Sequence, residues 1–162
     1  MELNNNNFSR DHVVNQVIGQ AWTPVNSNVV AGEFSFKANS SKHSILLCSR
    51  FNANSQEENG PFPGWFLQMA GTGFSLAFGN GKTWTSVKSL TAISLNKWHH
   101  VSFSMNNDEK HMELIVDGNS VTMENVAFRK PCNYLNIGGL NNRKEFQFDG
   151  EIKDIKLGDF FL

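Results

Sequence analysis

The segment KWHHVSFSMNNDEKHMELIVDGNSVTM, residues 97–123, decides the fold of this chain. Apolar and polar side chains alternate through its first half and again through residues 112–116. This period of two is typical of a strand, because successive side chains of a strand point to opposite faces. Asp117 and Gly118 follow the second run, where a tight hairpin needs positive φ that Gly adopts at little steric cost. The segment therefore predicts two antiparallel strands, with a further hairpin at Asp117.

Short β-favouring runs of the same kind recur along the whole chain and are separated by turn residues. The composition includes 13 Gly and 14 Phe, and Asn is frequent beside Gly, Ser and Asp, where it favours turns. No segment has convincing helical periodicity. The pattern predicts an all-β sandwich. The predicted strands are residues 12–19, 29–38, 44–51, 64–71, 73–78, 83–87, 99–105, 111–116, 120–123, 134–137 and 151–157.

The order of these segments resembles the laminin-G-like, concanavalin A-like jelly-roll domains. Residues 97–118 resemble a central hairpin of that family, and residues 135–157, LNIGGLNNRKEFQFDGEIKDIKL, resemble its closing strands. Residues 32–51 and 64–81 fit the earlier strands in the right order. The resemblance spans roughly residues 30–158 and implies a two-sheet antiparallel β-sandwich. It also implies that Trp98 is a packing anchor at the start of a core strand.

The chain length predicts a single domain. A chain of 162 residues can bury roughly 68–70% of its unfolded surface on folding, so no second core is needed. We expect one laminin-G-like domain over residues 1–162, with residues 1–11 flexible or frayed because they include an Asn tract. The longest loop is expected at residues 52–63, and loops of that length are usually functional or mobile.

Charge and hydropathy make some partners improbable. The net charge is −1 and the basic residues are scattered, so the sequence does not predict a nucleic-acid partner. The apolar runs are far shorter than the roughly 20 residues needed to cross a bilayer. The N-terminus lacks the features of a secretory signal, although the resemblance suggests an extracellular or cell-surface setting. Other domains of a larger parent protein are expected partners if the chain is an excised module.

The two cysteines are too few to suggest a disulfide framework. Cys48 lies inside the apolar run ILLC, which favours a buried thiol. Whether Cys48 and Cys132 pair is left open.

Enzyme activity is not predicted. A retaining glycosidase needs two carboxyl groups about 5–5.5 Å apart, which the hydrolases of this family carry on one strand as Glu-x-Asp-x-x-Glu. No such strand exists here, and the acidic pairs at residues 57–58 and 108–109 lie in predicted loops.

The metal prediction is limited to one candidate. His99 and His100 are adjacent in a predicted strand and point to opposite faces, so they cannot grip one ion together. Asp149 precedes Gly150 in a predicted turn, where the ordinary role of Asp is to bond nearby backbone amides. Some relatives bind calcium at the sandwich rim through Asp and carbonyl oxygens, so a calcium site at Asp149 is kept as an alternative.

Aromatic and amide side chains predict a sugar site. A flat ring can pack on the apolar C–H face of a pyranose, and planar amide or guanidinium groups can pair with its hydroxyls. Trp65 and Trp84 are the candidate rings, since both lie beside predicted loops or turns; burial in the core is the alternative for each. The candidate polar partners are Arg50, Asn52, Gln68, Asn80, Asn142 and Arg143.

A weaker resemblance connects residues 35–54 to the galactose-binding strand of galectins. Leu47 and Cys48 stand where polar sugar ligands would be needed, and only Arg50 and Trp65 match. Galactose specificity is therefore not inferred.

The sequence thus predicts a non-catalytic, lectin-like module whose partner is a glycan or glycoprotein. The alternative is a protein-interaction or spacer module of a larger protein, without a sugar site.

Overall fold

A computed structural model describes residues 7–24 and 26–158, and every regular element in them is a β-strand. None of these residues forms a helix long and apolar enough to cross a membrane. The strands are β1 (Phe8–Val14), β2 (Ile18–Ala21), β3 (Val29–Ala38), β4 (Ser44–Ser49), β5 (Trp65–Ala70), β6 (Gly73–Gly79), β7 (Trp84–Lys88), β8 (Trp98–Asn106), β9 (His111–Val116), β10 (Asn119–Glu124), β11 (Tyr134–Ile137) and β12 (Gly150–Gly158).

Two six-stranded antiparallel sheets pack as a sandwich. Sheet A has the order β1-β12-β3-β8-β9-β10, and sheet B has the order β2-β11-β4-β5-β6-β7. The predicted jelly-roll class, all-β and concanavalin A-like, is confirmed. The core lies between the sheets, since alternate residues of strands such as β5, β8 and β9 are buried. Phe34 and Phe36 from sheet A and Leu67 and Leu76 from sheet B belong to it, and all four are 0% exposed.

The segment that decides the fold forms the predicted hairpins. Met105 pairs with Met112 and Val101 with Val116, so β8 and β9 are antiparallel neighbours. Asp117 and Gly118 both have positive φ, 50° and 83°, and join β9 to β10. This is the backbone that an Asp-Gly hairpin requires.

The prediction of one strand over residues 12–19 is wrong. The chain forms β1 in sheet A and β2 in sheet B, and Asn15, with φ of 46°, lies where it leaves the first sheet. β-favouring apolar residues stand on both sides of the break, Val13 and Val14 before it and Val17 and Ile18 after it, so the residue pattern did not reveal it. Residues 8–11, expected to be frayed, belong to β1 and pair with β12; residues 1–6 lie outside the described residues.

Trp98 is not a core anchor. His99, Val101 and Phe103 face the core, so Trp98 and His100 lie on the outer face of sheet A. The Nζ atoms of Lys37 and Lys153 lie 5.2 and 4.0 Å from the centroid of the Trp98 ring. The two histidines do point to opposite faces, as expected.

Candidate functional site

The outer face of sheet B presents small side chains on β6, the strand next to its edge. Strand β6 directs Ser75, Ala77 and Gly79 outward, because Phe74, Leu76 and Phe78 face the core. On β7, Trp84 pairs with Gly79, and Lys88 pairs with Ser75. Four residues of extended strand span about 13 Å. The outer face therefore has an aromatic end at Trp84 and a cationic end at Lys88.

Three rings form a cluster at the first end, which we call the aromatic cluster (Phe62, Phe66 and Trp84). The centroids of Phe66 and Trp84 are 5.3 Å apart, although these residues lie on β5 and β7 with β6 between them. They meet because β6 offers only Ala77 and Gly79 at that level. Phe62 contacts Trp84 edge-on at 6.1 Å.

Gly79 is also where the long loop rests on the sheet. A Cβ atom at Gly79 would lie 2.1 Å from the carbonyl oxygen of Phe62, far closer than atoms can approach. Only Gly lets the loop backbone lie this close to β6. Because Gly79 has no side chain, the loop can approach β6 and place Phe62 beside Trp84.

Arg50 covers the cluster from the end of β4. Its guanidinium carbon lies 4.6 Å from the Trp84 centroid and 4.8 Å from the Phe51 centroid. The same guanidinium forms an ion pair with Glu57 in the long loop. Two predicted site residues, Arg50 and Trp84, are thus brought together, but Arg50 already has partners of its own.

Asn52 organises the long loop. Its Oδ1 accepts hydrogen bonds from the backbone amides of Asn54 (2.9 Å) and Gln56 (3.0 Å). Its Nδ2 donates to Glu58 at 2.7 Å. Asn52 therefore acts within the loop, which is the ordinary turn-forming role of Asn.

A groove of about 410 Å³ lies at the cationic end of the face. Gln68 crosses it: Nε2 donates to Ser75 Oγ (3.2 Å), and Oε1 lies 2.8 Å from His43 Nε2. Because the amide oxygen can only accept, this network assigns the proton to His43 Nε2. The groove is lined by His43, Gln68, Ala70, Gly73, Phe74, Ser75, Ser86, Lys88 and Ser89.

Two exposed phenylalanines flank this face. Phe146 lies beside the groove, since its centroid is 4.8 Å from that of His43, and it is 46% exposed. Phe62, in the aromatic cluster, is 37% exposed. Both have left-handed backbone, with φ of 52° and 51°. For a bulky residue this conformation is an outlier that costs about 1–3 kcal/mol and is concentrated at functional sites.

The remaining predicted polar residues do not line the groove. Asn80 accepts hydrogen bonds from the amides of Lys82 and Thr83, both at 2.9 Å, and so holds the turn before β7. Its side chain borders a separate cavity of about 430 Å³ beside Arg129. Asn142 donates to the carbonyl of Ala53 and ties two loops together. Arg143 is exposed at the neighbouring position, with its amide donating to Asn141.

Trp65 cannot contact a sugar in this structure. It is 0% exposed, and its ring centroid lies 5.4 Å from that of Phe103 in the opposite sheet. The pleat of β5 explains this, because Phe66 and Gln68 take the outward positions while Trp65 and Leu67 take the inward ones. Of the two readings of Trp65, burial in the core is the correct one.

The surroundings of Asp149 do not fit a calcium site. Its carboxylate accepts a hydrogen bond from Asn39 Nδ2 at 3.2 Å, and its carbonyl accepts one from the Asn39 amide at 2.9 Å. The amide hydrogens of Asn39 point toward the carboxylate and would repel a cation bound there. Calcium also needs several oxygen ligands. Within residues 7–24 and 26–158, no group of three or more His, Cys, Asp or Glu side chains could hold a metal ion.

A buried histidine anchors the Asp-Gly hairpin on the other sheet. His99, 3% exposed, places Nδ1 2.6 Å from Asp117 Oδ2, and the His100 amide donates to Asp117 Oδ1 at 2.9 Å. Burial alone would raise the pKa of Asp117, but the hydrogen bonds from His99 and the His100 amide outweigh it and lower that pKa. The pair is structural, since it fixes the hairpin that joins β9 to β10.

Both thiols are buried and unbridged. Burial raises the pKa of Cys48 to about 12 and that of Cys132 to about 11. Neither ionises near neutral pH, so neither is a nucleophile or a metal-binding thiolate.

The groove contains residues that the sequence interpretation did not select. Lys88 and Ser86 share the outward parity of Trp84 on β7, and that alternation was a usable signal. Ser75 on β6 pairs with Lys88 on β7. Identifying Ser75 as a groove residue therefore requires knowledge of the strand pairing. Phe146 reaches His43 only through the path of the loop after β11, so no sequence pattern could have identified it.

Known proteins with a similar sequence profile or a similar structure were compared with this chain. A profile described as the concanavalin A-like lectin/glucanases superfamily matches residues 20–159. No curated protein matches the chain in sequence. Identities to the solved structures below are under 25%, so the likeness to them establishes the fold alone.

Three of these structures illustrate the range of the fold. The CBM40 module of the Ruminococcus gnavus IT-sialidase, bound to α2,3-sialyllactose, is 13% identical with a TM-score of 0.72, over 94% of this chain and 91% of that one. Domains LG4-5 of the mouse laminin α1 chain are 16% identical with a TM-score of 0.65; the match covers 93% of this chain but 40% of that one. A SAP-like pentraxin of Limulus polyphemus is 16% identical with a TM-score of 0.63, over 97% and 72% of the two chains.

Proposed function

The chain belongs to the concanavalin A-like lectin/glucanases superfamily, and from that premise we propose that it is a non-catalytic module that binds a glycan on the outer face of sheet B. The groove beside Phe146 carries the proposal. It combines an exposed ring with hydroxyl and amide groups, which is the chemistry that sugars require.

The ring and the polar groups have separate tasks. Phe146, 46% exposed, offers a flat apolar surface for the C–H face of a pyranose. Gln68 and Ser75 offer hydrogen-bonding groups that His43 holds in place. The aromatic cluster extends the apolar surface along β7, so the face accommodates more than one sugar ring.

The backbone of Phe146 supports a role in binding. A bulky residue at φ of 52° costs stability, and Gly or Asn would relieve that cost. Burial of the ring in the core does not offset this cost in stability, since Phe146 is 46% exposed. Retention of Phe at such a position is explained if the ring contacts a ligand.

The composition of the groove favours binding over hydrolysis. A glycosidase of the two-carboxylate type needs an acid and a nucleophile or base within reach of one bond. None of the described residues that line the groove is Asp or Glu. A sialidase module of the same fold, bound to sialyllactose, gives a precedent for a glycan on this scaffold.

A glycan array probed with the purified domain, once with calcium and once with chelator, tests the proposal. We expect specific binding in both conditions. Phe146→Ala should lower the affinity by about two- to tenfold, the value of a ring contact, and Trp84→Ala should lower it as well.

Trp98→Ala is the matched control. Trp98 is also half-buried and has cations over its ring, but it lies on the outer face of sheet A. Its substitution should leave affinity unchanged. An array without a specific hit would contradict the proposal and favour the interaction or spacer role. Equal losses in the Trp84→Ala and Trp98→Ala variants would show that the outer face of sheet B is not the site.

A further inference from the structure

The cation of the groove, Lys88, lacks acidic neighbours. None of the described residues that line the groove with it is Asp or Glu. Lys88 is exposed and has no ion-pair partner among the described residues. The groove therefore carries an uncompensated positive charge beside its hydrogen-bonding groups.

Three other cations of this chain lie beside carboxylates. Lys37 on sheet A lies 3.0 Å from a carboxylate oxygen of Glu151, and Lys156 lies 4.0 Å from one of Glu33. Arg50, next to the aromatic cluster, pairs with Glu57. The contrast matters because a compensated cation gains little from an anionic ligand, whereas a free one gains a full charge-assisted hydrogen bond.

The hydrogen-bond network also leaves donors open. The hydroxyl oxygen of Ser75 accepts from Gln68 Nε2, so its proton is available to a ligand. Lys88 lies directly opposite Ser75 in the register of β7 with β6. A hydroxyl donor and an ammonium donor thus point into the groove from adjacent strands, and acceptor oxygens with negative charge complement them.

We propose that the glycan bound at this groove is acidic and that its carboxylate or sulfate group pairs with Lys88 and Ser75. This inference rests on the proposed glycan-binding function and adds the class of sugar to it. The charge sits at one end of the outer face, so the acidic residue of the glycan lies over Lys88 and neutral sugars extend toward Trp84.

Matched pairs of glycans that differ only in charge test the proposal by isothermal titration calorimetry. The pairs are sialyllactose and its carboxyl methyl ester, oligogalacturonate and its methyl ester, and a sulfated galactan oligosaccharide and its desulfated form. We expect the acidic member of at least one pair to bind about ten- to hundredfold more tightly, the value of a charge-assisted hydrogen bond. The pair that responds distinguishes a carboxylate from a sulfate ligand. Added salt should weaken the acidic member selectively.

Lys88→Gln should remove the preference without altering thermal unfolding, because Lys88 is exposed. Lys82→Gln is the control, since Lys82 is an exposed lysine in the turn before β7 and does not line the groove. Equal binding of both members, or a preference that survives in the Lys88→Gln variant, would overturn this inference while leaving glycan binding intact. Failure of every glycan on the array and in the pairs would overturn both proposals.

Discussion

The guanidinium carbon of Arg50 lies 4.6 Å from the centroid of the Trp84 ring. Arg50 directly follows β4 and Trp84 belongs to the edge strand β7, so the contact reaches across β5 and β6. The pairing of the same guanidinium with Glu57 adds the long loop to this connection. Arg50 therefore links the end of β4 to the long loop and to β7, and this structural tie leaves it without a free guanidinium for a sugar.

Replacing Arg50 by Lys should loosen this tie. Lysine keeps the charge but loses the planar group that faces the ring and the paired donors that hold Glu57. We expect a loss of about 0.5–1 kcal/mol in the free energy of unfolding, with faster amide exchange in residues 52–63. Denaturant unfolding and hydrogen exchange measure the two effects. Arg143→Lys, at an exposed position, should change neither; an unchanged Arg50→Lys protein would contradict the assignment.

At position 146, the residue that gives the greater stability and the residue that gives the greater glycan affinity should differ. Because its φ is 52°, Phe146→Gly should be more stable than Phe146→Ala by about 1 kcal/mol. Both variants remove the ring and should lose glycan affinity equally. Thermal unfolding and calorimetric binding of the two variants provide the comparison. Stability that is equal in both would show that the left-handed backbone carries no strain.

Asp117 should make the stability depend on pH in the acid range. Its pKa is lowered in the folded state, so the unfolded state binds the proton more tightly. The contribution is complete above the ordinary value of about 3.9 and is lost as pH falls through the folded pKa. Asp117→Asn should be less stable at neutral pH and should lose less stability below about pH 4. Parallel declines in the two proteins, measured by urea unfolding between neutral and acid pH, would contradict this account.

Calcium should not change the unfolding temperature. A ligand that binds only the folded state raises the unfolding midpoint with the logarithm of its concentration. We expect no such rise because Asn39 Nδ2 already donates to Oδ1 of Asp149. We expect the same midpoint with added calcium and with chelator. A calcium-dependent rise that is absent in the Asp149→Ala variant would instead establish a site there.

The sequence predicted most of the fold because the decisive signals are local. The limits of β3, β9 and β11 coincide with the predictions, since alternation and flanking turn residues mark them. The Asp117 turn was predicted for the same reason. The break after Val14 was missed because the residues on either side continue an apolar pattern while the strands enter different sheets.

The site was predicted less well because it depends on which strands are neighbours. Trp65 and Trp84 looked alike as sequence features, yet the pleat buries one and leaves the other half-exposed. Asn52 and Asn80 have the expected residue type, but their side-chain oxygens accept hydrogen bonds from backbone amides of the loop and of the turn. Lys88 and Ser75 line one groove through strand register, and Phe146 lies beside His43 of that groove through the path of its loop; residue patterns do not encode either relationship.

The first strand and the last strand of sheet A are partners: β1 pairs with β12, Phe8 opposite Leu157 and Val14 opposite Glu151. During synthesis, β1 must therefore wait for nearly the whole chain to be made, on the order of ten seconds at typical elongation rates. Throughout that interval the inward-facing side chains of Phe8 and Val13 have no sheet to join. A ribosome-bound chain that stops short of residue 150 should accordingly carry β1 unpaired, with Phe8 and Val13 uncovered, which makes it a target for chaperones and a hazard for pairing with other nascent chains.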